Sequence, residues 1–279
     1  MQIDDVASVL SMWLPRLAAE TSEGDSFDRC WARVSGASML DRFRARRLWD
    51  LALEASVLDG DFIECGAYRG GTSCLLGLFI KELGLHKRIF ILDSFAGMPA
   101  PDPRRDQSHF DAGVLASDLD ECRARIRELE LDDVAIVVPG WFAQTLPGLP
   151  TSATYSLVHL DCDLYASTKV CLDALYPKLS DGGLVIFDDY LIRSPGERMA
   201  AQEHVAQTGE TLELGPGTQA YLRKARAYVP RLETRDPDGV SLSCDDLACN
   251  TAYLDWIERL AQHLARSAAA VADLALTFR

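Results

Sequence analysis

Leu157-Val158-His159-Leu160-Asp161-Cys162-Asp163, answered downstream by Val185-Ile186-Phe187-Asp188-Asp189-Tyr190, is the stretch that decides the fold of this chain. Both segments are short apolar runs, rich in β-branched and aromatic residues, that end abruptly in carboxylates. Such runs read as buried strands, and in an open α/β sheet the ligand site lies just beyond the strands' carboxyl ends. Acidic side chains from two strands therefore converge on one rim. Carboxylates packed together repel unless a cation sits among them, and an all-oxygen donor set suits a hard divalent ion such as Mg²⁺. The pattern points to an enzyme rather than a scaffold.

Working outward, apolar runs alternate with helix-length amphipathic segments from about Asp61 onward, which predicts βαβ units in a mostly parallel sheet. Strands are expected over Phe62 to Glu64, Arg88 to Asp93, Val134 to Val138, Tyr155 to Asp161 and Leu184 to Asp188, with a weaker one over Thr218 to Arg223 at the sheet's edge. Helices are expected over Gly71 to Leu83, Ala116 to Leu131, briefly near Phe142, over Ser167 to Leu179 and over Ser194 to Gln207. Residues 1–59 read as a helical cap whose apolar stripe is Met39-Leu40-x-x-Phe43 and Leu48-x-x-Leu51-x-Leu53, and residues 60–225 as the core. Residues 226–279 read as a Pro- and Asp-rich connection followed by an Ala- and Leu-rich packing or dimerisation helix, so a homo-oligomer is expected. The segment Pro99 to Gly113 is long for a loop in this architecture and reads as a lid.

Composition narrows the function. The 279 residues are 48% hydrophobic, enough for a sizeable core, and carry 28 Lys and Arg against 42 Asp and Glu, a formal charge of −14. That balance disfavours nucleic acid and anionic lipid as partners and leaves a small molecule as the expected ligand. No basic start followed by an apolar block is present, no uncharged run reaches membrane-spanning length, and the eight cysteines lack Cys-x-x-Cys spacing. We read them as reduced thiols of a cytoplasmic protein.

The first βα turn, Glu64-Cys-Gly66-Ala-Tyr68-Arg-Gly70-Gly71-Thr72-Ser73, lets the backbone approach a ligand. Its spacing departs from Gly-x-Gly-x-x-Gly, which disfavours a nicotinamide oxidoreductase. An acidic residue just before the turn fits S-adenosylmethionine, whose ammonium needs a local anion; a tight structural turn is the alternative. Asp93 and Ser94, at the end of the second strand, are placed for ribose hydroxyls, although Asp93 alone could be a turn cap. Gly140-Trp141-Phe142 could offer backbone groups and an aromatic face to adenine, or could be core filler.

These motifs together carry a resemblance. Asp61-Phe-Ile-Glu-Cys-Gly-Ala-Tyr-Arg-Gly-Gly-Thr-Ser, Leu92-Asp-Ser-Phe-Ala-Gly-Met-Pro, Gly140-Trp-Phe-x-x-Thr-Leu-Pro, His159-Leu-Asp-Cys-Asp-Leu-Tyr-x-Ser-Thr and Val185-Ile-Phe-Asp-Asp-Tyr resemble the macrocin O-methyltransferase family over roughly residues 40–225. The resemblance implies a class I methyltransferase fold, Rossmann-like and α/β, with S-adenosylmethionine as donor and Mg²⁺-dependent methylation of hydroxyls, often on sugars of natural products. It also implies that Glu64, Gly66 and Ser73 serve the methionine end, with Tyr68 and Thr72 in the same turn. Asp93 and Ser94 would serve the ribose, and Asp161, Asp188 and Asp189 the metal. Catechol O-methyltransferases look similar in metal spacing but carry a lysine where this chain has Leu164, so a phenolic acceptor is less favoured. Asp161 is the first expectation for the proton acceptor, with His159 on the same strand face and His109 on the lid as others. Asp163 is expected to orient the metal ligands from behind. The rival to an enzyme is a catalytically silent S-adenosylmethionine-binding accessory protein.

Overall fold

The computed structural model describes residues 26–107, 110–192, 195–215 and 217–225, all within one compact unit. The expectations for residues 1–25, for His109 and for the extension over 226–279 lie outside the described residues. The apolar runs become β1 (Asp61–Cys65), β2 (Ile89–Asp93), β3 (Ala135–Pro139), β4 (Tyr155–Leu160) and β5 (Leu179–Phe187), followed by β6 (Leu212–Leu214) and β7 (Ala220–Arg223). They form one seven-stranded sheet in the order β3-β2-β1-β4-β5-β7-β6. The first five strands run parallel, and β7 pairs antiparallel with β5 and β6. The expected late strand is therefore present, but β7 lies inside the edge and β6 forms it.

Helices α1 (Ser26–Val34), α2 (Arg42–Ser56), α3 (Gly71–Glu82), α4 (Leu119–Glu128), α5 (Phe142–Thr145), α6 (Tyr165–Leu175) and α7 (Gly196–Thr208) flank the sheet. Every residue of β4 is buried, as a strand covered on both faces by crossover helices must be. An aromatic chain fastens α1 and α2 to this core. Phe27 meets Trp49 at 5.8 Å, Trp49 meets Phe79 of α3 at 4.9 Å, and Phe79 meets Phe62 of β1 at 6.1 Å. The first two are edge-to-face, and such pairs add about 0.5–1.5 kcal/mol each beyond the area they bury.

The apolar stripe of α2 differs from the expected one. Asp41 caps the helix by accepting from the N–H of Phe43 (2.8 Å) and Arg44 (3.0 Å), and that start point turns Phe43 outward, 72% exposed. Met39 and Leu53 are also exposed. The buried face runs instead through Ala45, Leu48, Trp49, Leu51, Ala52 and Ala55. Arg44 enters the same side of the helix, one turn before Leu48, and this places a guanidinium at the sheet's rim.

Among the described residues no helix is long and apolar enough to cross a membrane. The strand order reverses between β1 and β4, and the crevice that opens at their carboxyl ends is the natural ligand position of a doubly wound sheet.

Candidate active site

The crevice begins where β1 stops. Gly66 follows Cys65 with φ +97°, and a Cβ on it would lie 1.8 Å from the backbone oxygen of Asp161. Only glycine allows this approach, which lets the Asp161 N–H donate to the Cys65 carbonyl (2.9 Å) and joins the two loops that build the site. At the end of β2, Asp93 accepts the backbone N–H groups of Tyr68 (2.7 Å) and Phe95 (2.6 Å). Burial raises its carboxyl above the ordinary value, those N–H bonds pull it back, and the Glu64 charge adds a smaller upward push. The Gly140 N–H donates to the Asp93 carbonyl (2.8 Å), drawing Gly140-Trp141-Phe142 onto the same rim. Gly66, Tyr68, Asp93, Ser94, Gly140, Trp141 and Phe142 all line one cavity of about 360 Å³.

Glu64, Thr72 and Ser73 take other positions. All three are buried behind the turn and none lines the cavity. Ser73 donates its hydroxyl to Glu64 Oε2, and Thr72 Oγ1 pairs with Ser38 Oγ at 2.8 Å. The helical turn beginning at Gly71 points these side chains inward, so they brace the turn from beneath.

The other end of the cavity is acidic. Asp161, Asp163, Asp188 and Asp189 line it, together with Arg44. Ligand oxygens of Asp161, Asp163 and Asp189 lie within 4.8 Å of one another. Burial first, and then the neighbouring carboxylates, hold Asp161 well above the usual carboxylate range and push Asp163 up to about 8; Asp189 is raised for the same reasons. Mutual repulsion that is relieved only by protons is what a hard divalent cation would relieve instead, so this donor set fits Mg²⁺.

Asp188 lies beside that trio, but its two carboxylate oxygens are engaged elsewhere. Its Oδ2 pairs with Arg44, and its Oδ1 accepts from Gln219 Nε2 at 2.7 Å and lies 3.5 Å from His159 Nε2. His159 is fully buried and does not line the cavity. Its Nδ1 meets Glu64 Oε1 at 2.9 Å. Burial alone would lower its pKa, yet the carboxylates of Asp188 and Glu64 on either side raise it to about 9. A continuous line of buried charge, Glu64–His159–Asp188–Arg44, thus runs beneath the cavity from the Gly-rich turn to the acidic rim. Strand register creates it, because Glu64 and His159 are partners on β1 and β4.

Asp163, together with Glu197 and Asp106, which the sequence did not single out, holds the rim. Asp163 sits at φ +56°, with the Leu164 N–H turned back onto the Cys162 carbonyl (2.5 Å), a tight three-residue turn of the rarer, strained hand. Its carbonyl accepts the Glu197 N–H (3.2 Å), and Glu197 Oε1 accepts the Asp189 N–H (2.9 Å). Asp106, from the predicted lid, accepts the Tyr165 N–H (2.7 Å) at the start of α6. The long loop also brings Pro99 and Phe110 to the cavity wall. A second cleft, of about 460 Å³, opens at the opposite end of the strands around Lys87, which donates to the carbonyls of Leu58 and Gly60, both at 2.5 Å. It contains none of the acidic rim.

Comparison with known proteins places this geometry in context. The macrocin O-methyltransferase family model matches residues 20–214. The chain is 42% identical over 147 residues, 50% of this chain and 56% of the other, to an 8-demethyl-8-(2,3-dimethoxy-alpha-L-rhamnosyl)-tetracenomycin-C 4'-O-methyltransferase of Streptomyces olivaceus. It is 38% identical over 145 residues, 49% of this chain and 55% of the other, to demethyldecarbamoylnovobiocin O-methyltransferase of Streptomyces niveus. The match thus spans a little over half the length of either relative. Among solved structures, the O-methyltransferase NovP is similar with a TM-score of 0.60 and 28% identity, over 68% of this chain and 83% of that one. The calicheamicin methyltransferase CalS11 shares the fold, with a TM-score of 0.58 and 22% identity over 71% of this chain and 91% of that one. The sheet is therefore that of the class I, Rossmann-like O-methyltransferases.

Proposed function

The chain belongs to the macrocin O-methyltransferase family, and from that premise we propose that it transfers a methyl group from S-adenosylmethionine to a hydroxyl of a small natural product, a sugar or polyol moiety, with a divalent cation. The observation that carries the reading is the single cavity with two chemically different ends, a backbone-lined rim with Asp93 and a group of three carboxylates. Both solved relatives and both curated ones bear methyltransferase names, and the name of the tetracenomycin-C enzyme includes a rhamnosyl group.

In this proposal the Gly66 turn, Tyr68, Asp93 and Ser94 receive the methionine and ribose parts of the donor, and Trp141 and Phe142 face its adenine. Glu64, Thr72 and Ser73 support that turn from behind. Asp161, Asp163 and Asp189 would hold Mg²⁺, which when bound lowers the pKa of an acceptor hydroxyl and aligns it. Asp161 is the proposed acceptor of the departing proton, because it lies at the end of the cavity where the ion would hold the acceptor hydroxyl. Phe110 and Pro99 exclude water from the transfer. The helical cap over 1–59, core over 60–225 and extension over 226–279, a cytoplasmic location and a homo-oligomer are carried forward as parts of the same proposal. Six buried cysteines without disulfides suit such a location.

The test is release of S-adenosylhomocysteine from S-adenosylmethionine across a panel of deoxysugar glycosides and free polyols, with Mg²⁺ and with EDTA. Turnover that needs Mg²⁺ and a glycoside supports the proposal. Full turnover in EDTA would remove the metal from it, and donor binding without turnover of any acceptor would favour a silent accessory protein.

A further inference from the structure

The sequence pattern and the family resemblance assign the metal to Asp161, Asp188 and Asp189, but the side chains assemble differently. Asp188 is 1% exposed and engaged on every side. Its N–H donates to the Leu160 carbonyl (2.9 Å), its carbonyl accepts the Thr218 hydroxyl (2.7 Å), and its two carboxylate oxygens serve Gln219 and Arg44. Arg44 is equally fixed. It donates to Asp41 Oδ2 (3.0 Å), to the Met39 carbonyl (2.9 Å) and to Thr218 Oγ1 (3.3 Å), and its Nη1 lies 4.0 Å from Asp189 Oδ1. Meanwhile Asp163, at its positive-φ turn, brings an oxygen within 4.8 Å of those of Asp161 and Asp189.

We infer that Arg44 withdraws Asp188 from the ion's ligands and leaves Asp163 in its place, so that this chain holds its divalent ion with Asp161, Asp163 and Asp189 against a resident guanidinium. A second observation marks the trio as short of positive charge. Glu197, which contacts both Asp163 and Asp189, is fully buried and its Oε2 has no hydrogen-bond partner. Buried carboxylate oxygens are expensive to leave bare, and a cation beside the trio would offset that cost.

Arg44 then has two effects of opposite use. It neutralises Asp188 permanently, which keeps a fourth carboxylate from joining the group. It also opposes the ion electrostatically, since a fixed positive charge close to Asp189 weakens any second cation there. Because Arg44 sits on α2, the seating of that helix against the sheet sets the strength of the ion site.

This inference rests on the metal in the proposed function, and binding rather than turnover separates the two. Mn²⁺ uptake is measured by calorimetry on the full chain and on Asp163→Asn, Asp188→Asn and Arg44→Met, with thermal melts by circular dichroism to verify folding. Expected are an affinity loss of about tenfold or more for Asp163→Asn, a loss of no more than about threefold for Asp188→Asn, and a gain of about threefold or more for Arg44→Met. Asp188→Asn weakening Mn²⁺ as much as Asp163→Asn, or Arg44→Met binding it no more tightly than the unaltered chain, overturns the inference and leaves the proposed function standing. If Arg44→Met does not fold, the comparison of the two aspartates decides alone. Absence of Mn²⁺ uptake by the unaltered chain overturns both.

Discussion

The two ends of the cavity hold negative charge in opposite ways. At the donor end the Asp93 side chain accepts two backbone N–H bonds, so its charge is met by fixed dipoles that exist before any ligand arrives. At the acidic end three carboxylates face one another with Asp188 beside them, and burial, then the charges of these neighbours, raises Asp161 and Asp163 toward protonation. One end is complete without a partner, and the other is short of a cation. In the proposed function the methyl donor, bound in every cycle, would meet preorganised backbone, whereas the end that would hold the ion and the acceptor is left poised.

Crossed substitutions should break this contrast most sharply. Asp161→Asn is expected to lower kcat by about a hundredfold or more while changing donor affinity by less than about threefold. Asp93→Asn, which leaves one of two N–H donors facing an amide, should weaken donor binding by about tenfold and recover most of its rate at saturating S-adenosylmethionine. Steady-state kinetics with both substrates varied would read the two patterns. Equal loss of kcat in both variants would show that the ends do not divide the labour.

The ends are joined beneath the cavity by His159, between Glu64 and Asp188. Its pKa is raised from 6.5 to about 9, so the folded state binds the proton that the unfolded chain has released. The stabilisation is therefore whole below pH 6.5 and is lost as the pH rises through about 9, a span worth about 3 kcal/mol. His159→Gln removes it. Urea unfolding of both proteins across that window should show their stability difference shrinking as pH rises, and a pH-independent difference would mean that the buried imidazole is neutral.

How much of this was legible in the sequence follows from where each signal is local. The strands β1 to β5 are legible as apolar runs at regular spacing, whereas their order, and with it the reversal at the crevice, is set by tertiary packing. Helix ends were displaced by caps and turns: α4 begins at Leu119 behind its Asp118 cap rather than near Ala116, and α6 ends at Leu175 before a short turn leads into β5. The Asp188-Asp189 pair announced a rim but not that Arg44 and Gln219 engage Asp188, because that depends on what packs beneath. Arg44 was hidden in a run of arginines, Arg42, Arg44, Arg46 and Arg47, whose members meet Asp28, Asp188, Asp50 and Tyr221 respectively. Its spacing from Leu48 and Leu51 on one helical face was the available clue. Asp106 and Glu197 gave none, since a loop acid and a first-turn helix acid look like solvated charge until tertiary contacts bury them.

The smallest expected effect tests the donor end alone. Trp141 lines the cavity and is 38% exposed, a large aromatic face left partly in water at the mouth of a ligand site. If adenine lies against it, binding of S-adenosylhomocysteine should cover the indole and change its fluorescence, and Trp141→Phe should lose that change while keeping a smaller ring to stack on. The affinity cost of that substitution is then only about threefold, under about 1 kcal/mol, because one aromatic replaces another. Trp49 is buried among Phe27 and Phe79, away from the cavity, so it contributes a constant background. A fluorescence change that survives in Trp141→Phe would place the base elsewhere along the rim. The contrast between the two ends would then rest on Asp93 without its aromatic neighbour.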